Sequence, residues 1–182
     1  MRLLLCLIFS LVSISLFSQD HFMVELEKRS PGAMELVKSY EGFPAIPFLA
    51  NDSNGDEQSV AGYNGKVVFL WFWNTDCVKC KNQATAMNML AQKYPAKLQI
   101  ISFSDESKEV TQNFLASNPM DFPVVASSKT LADGPYGGDM GYPRIFIIDQ
   151  QGIIKWVFPE DTMKGDFNTF NILETLLISL YK

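Results

Sequence analysis

Lys66-Val-Val-Phe-Leu-Trp-Phe-Trp-Asn-Thr-Asp-Cys-Val-Lys-Cys-Lys81 decides how this chain is read. Its first half is short, apolar and rich in β-branched and aromatic residues, the composition of a strand buried on both faces. From Val78 to Tyr94 the residues favour a helix, and neither Gly nor Pro interrupts them. Cys77 and Cys80 therefore stand where a strand hands over to a helix. A thiol placed there meets unpaired backbone N–H groups and the positive end of the helix dipole. Both favour thiolate over thiol, and thiolate is the reactive form.

Three uses of a Cys-Val-Lys-Cys unit compete: a redox dithiol, half of a zinc site, and a structural bridge. Zinc asks for four ligands, usually a second cysteine pair or histidines. The remaining candidates are Cys6 and His21, both near the N-terminus. A bridge across so small a loop removes little entropy from the unfolded chain. Spacing and placement favour the redox dithiol.

The N-terminus has the order of a secretory signal peptide. Met1-Arg2 is followed by an apolar stretch, Leu3 to Phe17, and then by polar Ser18-Gln19-Asp20. We expect residues 1–18 to be the signal, cleaved after Ser18. The alternative is an uncleaved membrane anchor, for which the stretch is short. Cleavage would remove Cys6 and leave both remaining cysteines in the motif. With no disulfide scaffold to maintain, the fold must rest on an apolar core. At 182 residues, 47% hydrophobic content and a formal charge of −5, the chain has the means for one. No basic stripe suggests a nucleic-acid partner, and no internal repeat or low-complexity segment is visible.

Working outward from the central stretch gives the element order. Phe22 to Tyr40 has helical apolar spacing (Phe22, Leu26; Met34, Val37), broken at Ser30-Pro31-Gly32. Residues 19–42 thus read as a helical N-terminal extension. Phe48 to Ala50 and Gln58 to Ala61 flank the turn cluster Asn51–Asp56 as a small hairpin. That acidic turn lacks the terminal Glu of a calcium loop. The helix at Val78 should pack Ala84, Met87, Leu90 and Ala91 inward and stop at Pro95. Leu98–Phe103 is the next strand. A helix starting at Ser104-Asp105-Glu106 should turn Val110, Phe114 and Leu115 inward. Phe122–Ala126 reads as a third strand, and Lys129–Tyr142 as an irregular Gly-rich segment. Arg144–Asp149, the turn Gln150-Gln151-Gly152 and Ile153–Phe158 form an antiparallel hairpin. Asp166–Tyr181 closes the chain as a helix with Phe170, Leu173, Leu176, Leu177 and Leu180 as its apolar stripe. Such an order is an α/β fold, a mixed central sheet with helices on both faces. The dithiol lies at the carboxyl edge of the parallel strands, where α/β sites gather.

The segment Phe72–Lys81 resembles the active-site segment of thioredoxin-like proteins. Gly65-Lys66-Val67-Val68 before it and Gly141-Tyr-Pro-Arg-Ile-Phe-Ile-Ile-Asp-Gln-Gln-Gly152 after it narrow the likeness to exported TlpA/ResA-type thiol-disulfide oxidoreductases. The resemblance spans Phe43 to the C-terminus and implies a thioredoxin-like domain over residues 43–182. It implies that Cys77 attacks, that Cys80 resolves the mixed disulfide, and that Pro143 is a cis-proline beside them. Tyr142, just before it, would hold a client's extended backbone, and Trp73 and Asp76 would flank the dithiol. It further implies protein disulfide or dithiol clients, a membrane electron donor, a periplasmic location (membrane-tethered if the signal is retained), and no cofactor or metal.

Several positions depart from the family pattern. Asp76 stands where Trp is usual. No proline lies between or just after the cysteines. Trp71 takes the place of thioredoxin's buried carboxylate, and Gln83 that of a Glu found in some ResA-type proteins. No buried base for proton transfer is therefore evident, while exchange itself needs only the two thiols. Lys79 and Lys81 read as solvated surface. Two other classes remain: a copper-binding chaperone of related fold, with His21 or the soft ligands Met120 and Met140, and a redox-inactive thioredoxin-like binding module.

Overall fold

The computed structural model describes residues 31–159 and 169–181. The expected signal segment, Cys6, His21, Phe22 and Leu26 lie outside the described residues, as does the expected helix start at Asp166. Helix α1 spans Pro31–Tyr40; proline suits a first helical turn because its missing N–H would have no partner there. The hairpin strands β1 (Ala50–Asn51) and β2 (Glu57–Gln58) follow. Then come β3 (Val67–Trp73), α2 (Val78–Lys93), β4 (Leu98–Ser104), α3 (Lys108–Ser117) and β5 (Val124–Val125). A short α4 (Lys129–Asp133), β6 (Arg144–Ile148), β7 (Ile154–Phe158) and α5 (Thr169–Ser179) complete the described elements.

Five strands form one sheet in the order β5-β4-β3-β6-β7. β3 runs parallel to β4 and antiparallel to β6, so the sheet is mixed. Every residue of β3 is buried. Alternate side chains feed two cores, which is why the strand is apolar throughout. Val67, Phe69, Trp71 and Trp73 face Met87 and Leu90 of α2 and Leu173, Leu176 and Leu177 of α5. Val68, Leu70 and Phe72 face Val37 of α1, Ala132 of α4, Tyr136 and Met140. Helices thus cover both faces, as the element order implied.

Four local expectations change. The small hairpin pairs only Ala50–Asn51 with Glu57–Gln58, so residues 48–49 and 59–61 lie outside it. Helix α3 starts at Lys108, with the Ser107 hydroxyl accepting the Val110 N–H at 3.3 Å. Ser104 belongs instead to the end of β4, where its hydroxyl contacts the Thr111 hydroxyl at 3.2 Å. Thr111 is buried while Val110, expected inward, is 44% exposed. Phe114 and Leu115 do pack on the core. The segment expected to be irregular holds α4, whose Lys129 and Asp133 pair at 2.7 Å one turn apart. Only Val124 and Val125 of the third expected strand pair with β4.

The revised α3 register is open to test. As a buried control on α5, Leu173→Ala should cost about 2–5 kcal/mol through the cavity it leaves. Val110→Ala should stay within about 0.5 kcal/mol, the usual range for a surface change. Urea unfolding monitored by circular dichroism distinguishes the two.

Candidate active site

The site begins where β3 ends. Trp73 closes the strand, and Asn74-Thr75-Asp76 carries the chain to Cys77, the N-cap of α2. Cys77 has extended backbone angles, φ −77° and ψ 99°, and its sulfur accepts the Cys80 N–H at 3.0 Å. The same N–H also donates to the Cys77 carbonyl at 3.0 Å, so sulfur and carbonyl share one donor of the helix start. The two sulfurs are joined at 2.07 Å. Their surroundings differ. Cys77 is half-buried beside exposed Val78 and Asp76, whereas Cys80 is 2% exposed and forms part of the first core.

Behind Cys80 lies a neutral buried pair. The Trp71 indole Nε1 donates to Gln83 Oε1 at 3.0 Å. Trp71 and Gln83, two of the positions noted above as departures from the family pattern, thus bond to each other, an indole donor meeting an amide acceptor. Trp73 is fully buried, stacked on Trp71 with centroids 5.7 Å apart and tilted against Phe114 at 5.2 Å. Among the described residues its indole N–H has no hydrogen-bond partner. Lys81 sits over the Phe114 ring at 5.8 Å, an exposed cation–π contact.

Glu106, from the loop after β4, grips the approach to the dithiol. Its carboxylate accepts the Thr75 N–H at 3.1 Å and also the Thr75 hydroxyl. The Glu106 carbonyl in turn accepts the Ser127 N–H at 2.7 Å. Sequence reading missed this residue as part of the site, because its partners lie far along the chain and no motif marks it.

The loop that enters β6 reaches the same end of the sheet as the end of β3. The Tyr142–Pro143 peptide bond is cis, and Pro143 is buried. Strand register places Arg144 opposite Phe72, one residue short of Trp73. The Tyr142 hydroxyl is buried near Asp105 and Arg144; burial and the Asp105 charge push its pKa up, against the opposing pull of Arg144. Met120 packs against the first core and Met140 within the second, on opposite faces of the sheet. They do not converge as a ligand pair.

A five-stranded mixed sheet with a cysteine pair at the first turn of the helix after its central strand defines a thioredoxin-like thiol-disulfide oxidoreductase. Residues 42–157 match the model of the AhpC/TSA family, and the chain belongs to that family. It is 33% identical over 125 residues to the thiol-disulfide oxidoreductase ResA of Bacillus cereus, covering 66% of this chain and 71% of that one. It is 29% identical over 119 residues to the thioredoxin-like protein YneN of Bacillus subtilis, covering 63% and 69%. Among solved structures, a Chlorobium tepidum protein assigned as the thiol:disulfide interchange protein DsbE superposes with a TM-score of 0.64 at 26% identity. The match covers 77% of this chain and 97% of that one.

Removing the Glu106 carboxylate leaves the Thr75 N–H and hydroxyl without their acceptor. Glu106→Ala should therefore destabilise the fold by about 1–3 kcal/mol. Glu106→Gln, which keeps one acceptor oxygen, should recover part of that. Equal stability of all three proteins in a thermal melt would contradict the clamp.

Proposed function

We propose that this chain reduces protein disulfides outside the cytoplasm, with Cys77 as attacking nucleophile and Cys80 as resolving thiol. The observation that carries this assignment is the asymmetry of the pair. Cys77 is reachable and caps the helix, while Cys80 is enclosed one turn inside. In the reduced protein the Cys80 N–H and the helix dipole would favour a Cys77 thiolate. That thiolate attacks one sulfur of a client disulfide, forming a Cys77–client bond and releasing the other client sulfur as thiolate. Cys80, deprotonated, then attacks the Cys77 sulfur. The mixed disulfide breaks, the second client sulfur leaves as thiolate, and Cys77–Cys80 is oxidised by two electrons. A donor dithiol must restore the pair, and a membrane protein is the donor we propose.

Tyr142 and Pro143 are assigned to hold the client backbone in extended form beside the dithiol. Trp73 supports the floor of the site from within the core, and Asp76 lies at its exposed rim. Export rests on the N-terminal segment: residues 1–18 as signal, 19–42 as extension, and 43–182 as the thioredoxin-like domain. Among the described residues no helix is long and apolar enough to cross a membrane.

Two experiments test this function. Cys77→Ala should abolish insulin reduction in the presence of dithiothreitol, whereas Cys80→Ala should accumulate mixed disulfides visible on non-reducing gels. Normal turnover by Cys80→Ala would exclude the two-thiol mechanism. The neutral Trp71–Gln83 pair adds a pH prediction. Gln83→Glu places a carboxyl group in a buried site, where desolvation raises its pKa. The pH–rate profile should then gain an ionisation that the parent protein lacks.

A further inference from the structure

Arg144 follows Pro143 directly and opens an otherwise apolar strand, Arg144-Ile-Phe-Ile-Ile148. It is 1% exposed. Its guanidinium spreads three hydrogen bonds over one segment of chain: Nε to the Tyr136 carbonyl at 2.9 Å, and one terminal nitrogen each to the Gly141 and Ala132 carbonyls at 2.7 Å. Its central carbon sits over two rings, 4.7 Å from the Phe72 centroid and 4.8 Å from that of Tyr142. Burial lowers the Arg144 pKa, but an arginine remains charged under all working conditions.

These contacts tie the loop before β6 to the strand that carries the dithiol. Ala132, Tyr136 and Gly141 belong to the path from α4 to Tyr142. Phe72 belongs to β3, paired in register with Arg144 itself. Gly141 has φ 68° and ψ −166°, a region open essentially to glycine alone, and in that conformation its carbonyl meets the guanidinium. Tyr142 is thereby held from its ring, through the cation, and from the carbonyl of the residue before it.

We propose that Arg144 is a positioning residue that sets the client-binding backbone of Tyr142 relative to Cys77, and so governs affinity for protein disulfides rather than the reactivity of the thiol. The inference rests on the client-holding role given to Tyr142 above. A planar fork with fixed donor directions suits three carbonyls at separate points; a lysine keeps the charge but cannot span them. A small disulfide needs no extended chain to be held and depends far less on this loop.

The test compares wild type with Arg144→Lys in two assays: insulin reduction, and single-turnover reaction of the reduced protein with oxidised glutathione. We expect kcat/KM for insulin to fall about tenfold, mostly through KM, while the glutathione rate changes by no more than about twofold. Equal loss in both assays, or loss in neither, would overturn the proposal with the oxidoreductase reading intact. A wild type inert toward insulin would end both. Should the variant fail to fold, side-chain nitrogen NMR of the wild type still decides. The Arg144 Nε–H should exchange with solvent as slowly as core amides, and rapid exchange would refute the locked fork.

Discussion

Burial of both faces of β3 is the constraint on which the rest depends. A strand with apolar side chains above and below must be covered twice, and the chain supplies α2 and α5 for one face and α1 and α4 for the other. Because β3 pairs along its whole length with β4 and nearly so with β6, its end is a fixed point. The cysteine pair leaves from that point. Its placement against the helix start follows from the rigidity of the strand, not from any property of the Asn74–Asp76 loop alone.

Three groups then fix the chain around the sulfurs, each from a different element. Glu106 holds Thr75 from the loop after β4. Gln83 and Trp71 close the space behind Cys80 with a neutral hydrogen bond. Arg144 draws the loop before β6 against Phe72. Gln83 and Arg144 are polar groups set in apolar surroundings, where an unmet donor or acceptor is costly and a met one is specific, whereas Glu106 is half-buried among polar neighbours. The site is therefore a set of satisfied polar contacts placed at the rim of two cores. Among the described residues the Trp73 N–H, the Tyr142 hydroxyl and Asp105 Oδ1 are the buried exceptions, left without a hydrogen bond.

Much of the fold was legible because hydrophobic period and length are local properties. The β3 run, the α2 helix and the β6–β7 hairpin were read within a residue or two. Failures occurred where a side chain had a choice of partners. Ser104 looked like a helix start because serine favours that role, but strand pairing kept it in β4 and the cap passed to Ser107. Lys129–Asp133 looked irregular among glycines, and its helix is stabilised by a pair only one turn apart. Of the candidate site, the dithiol was evident from spacing, while Tyr142-Pro143 is assigned to it by resemblance. Glu106 was not, since nothing near it in the chain hints at Thr75. Arg144 carried a faint signal, a single cation at the head of an apolar strand.

The sequence by itself determined the strand-to-helix handover, the pairing of two thiols on one helical turn, and the apolar stripes that require a two-sided sheet. Each of these is written in neighbouring residues and their period. Tertiary structure alone decided which polar groups meet across the sheet: Trp71 with Gln83, Thr75 with Glu106, and Arg144 with the carbonyls of Ala132, Tyr136 and Gly141. A buried hydrogen bond is a relation of distance and direction between distant parts of the chain, and only the packed fold specifies both.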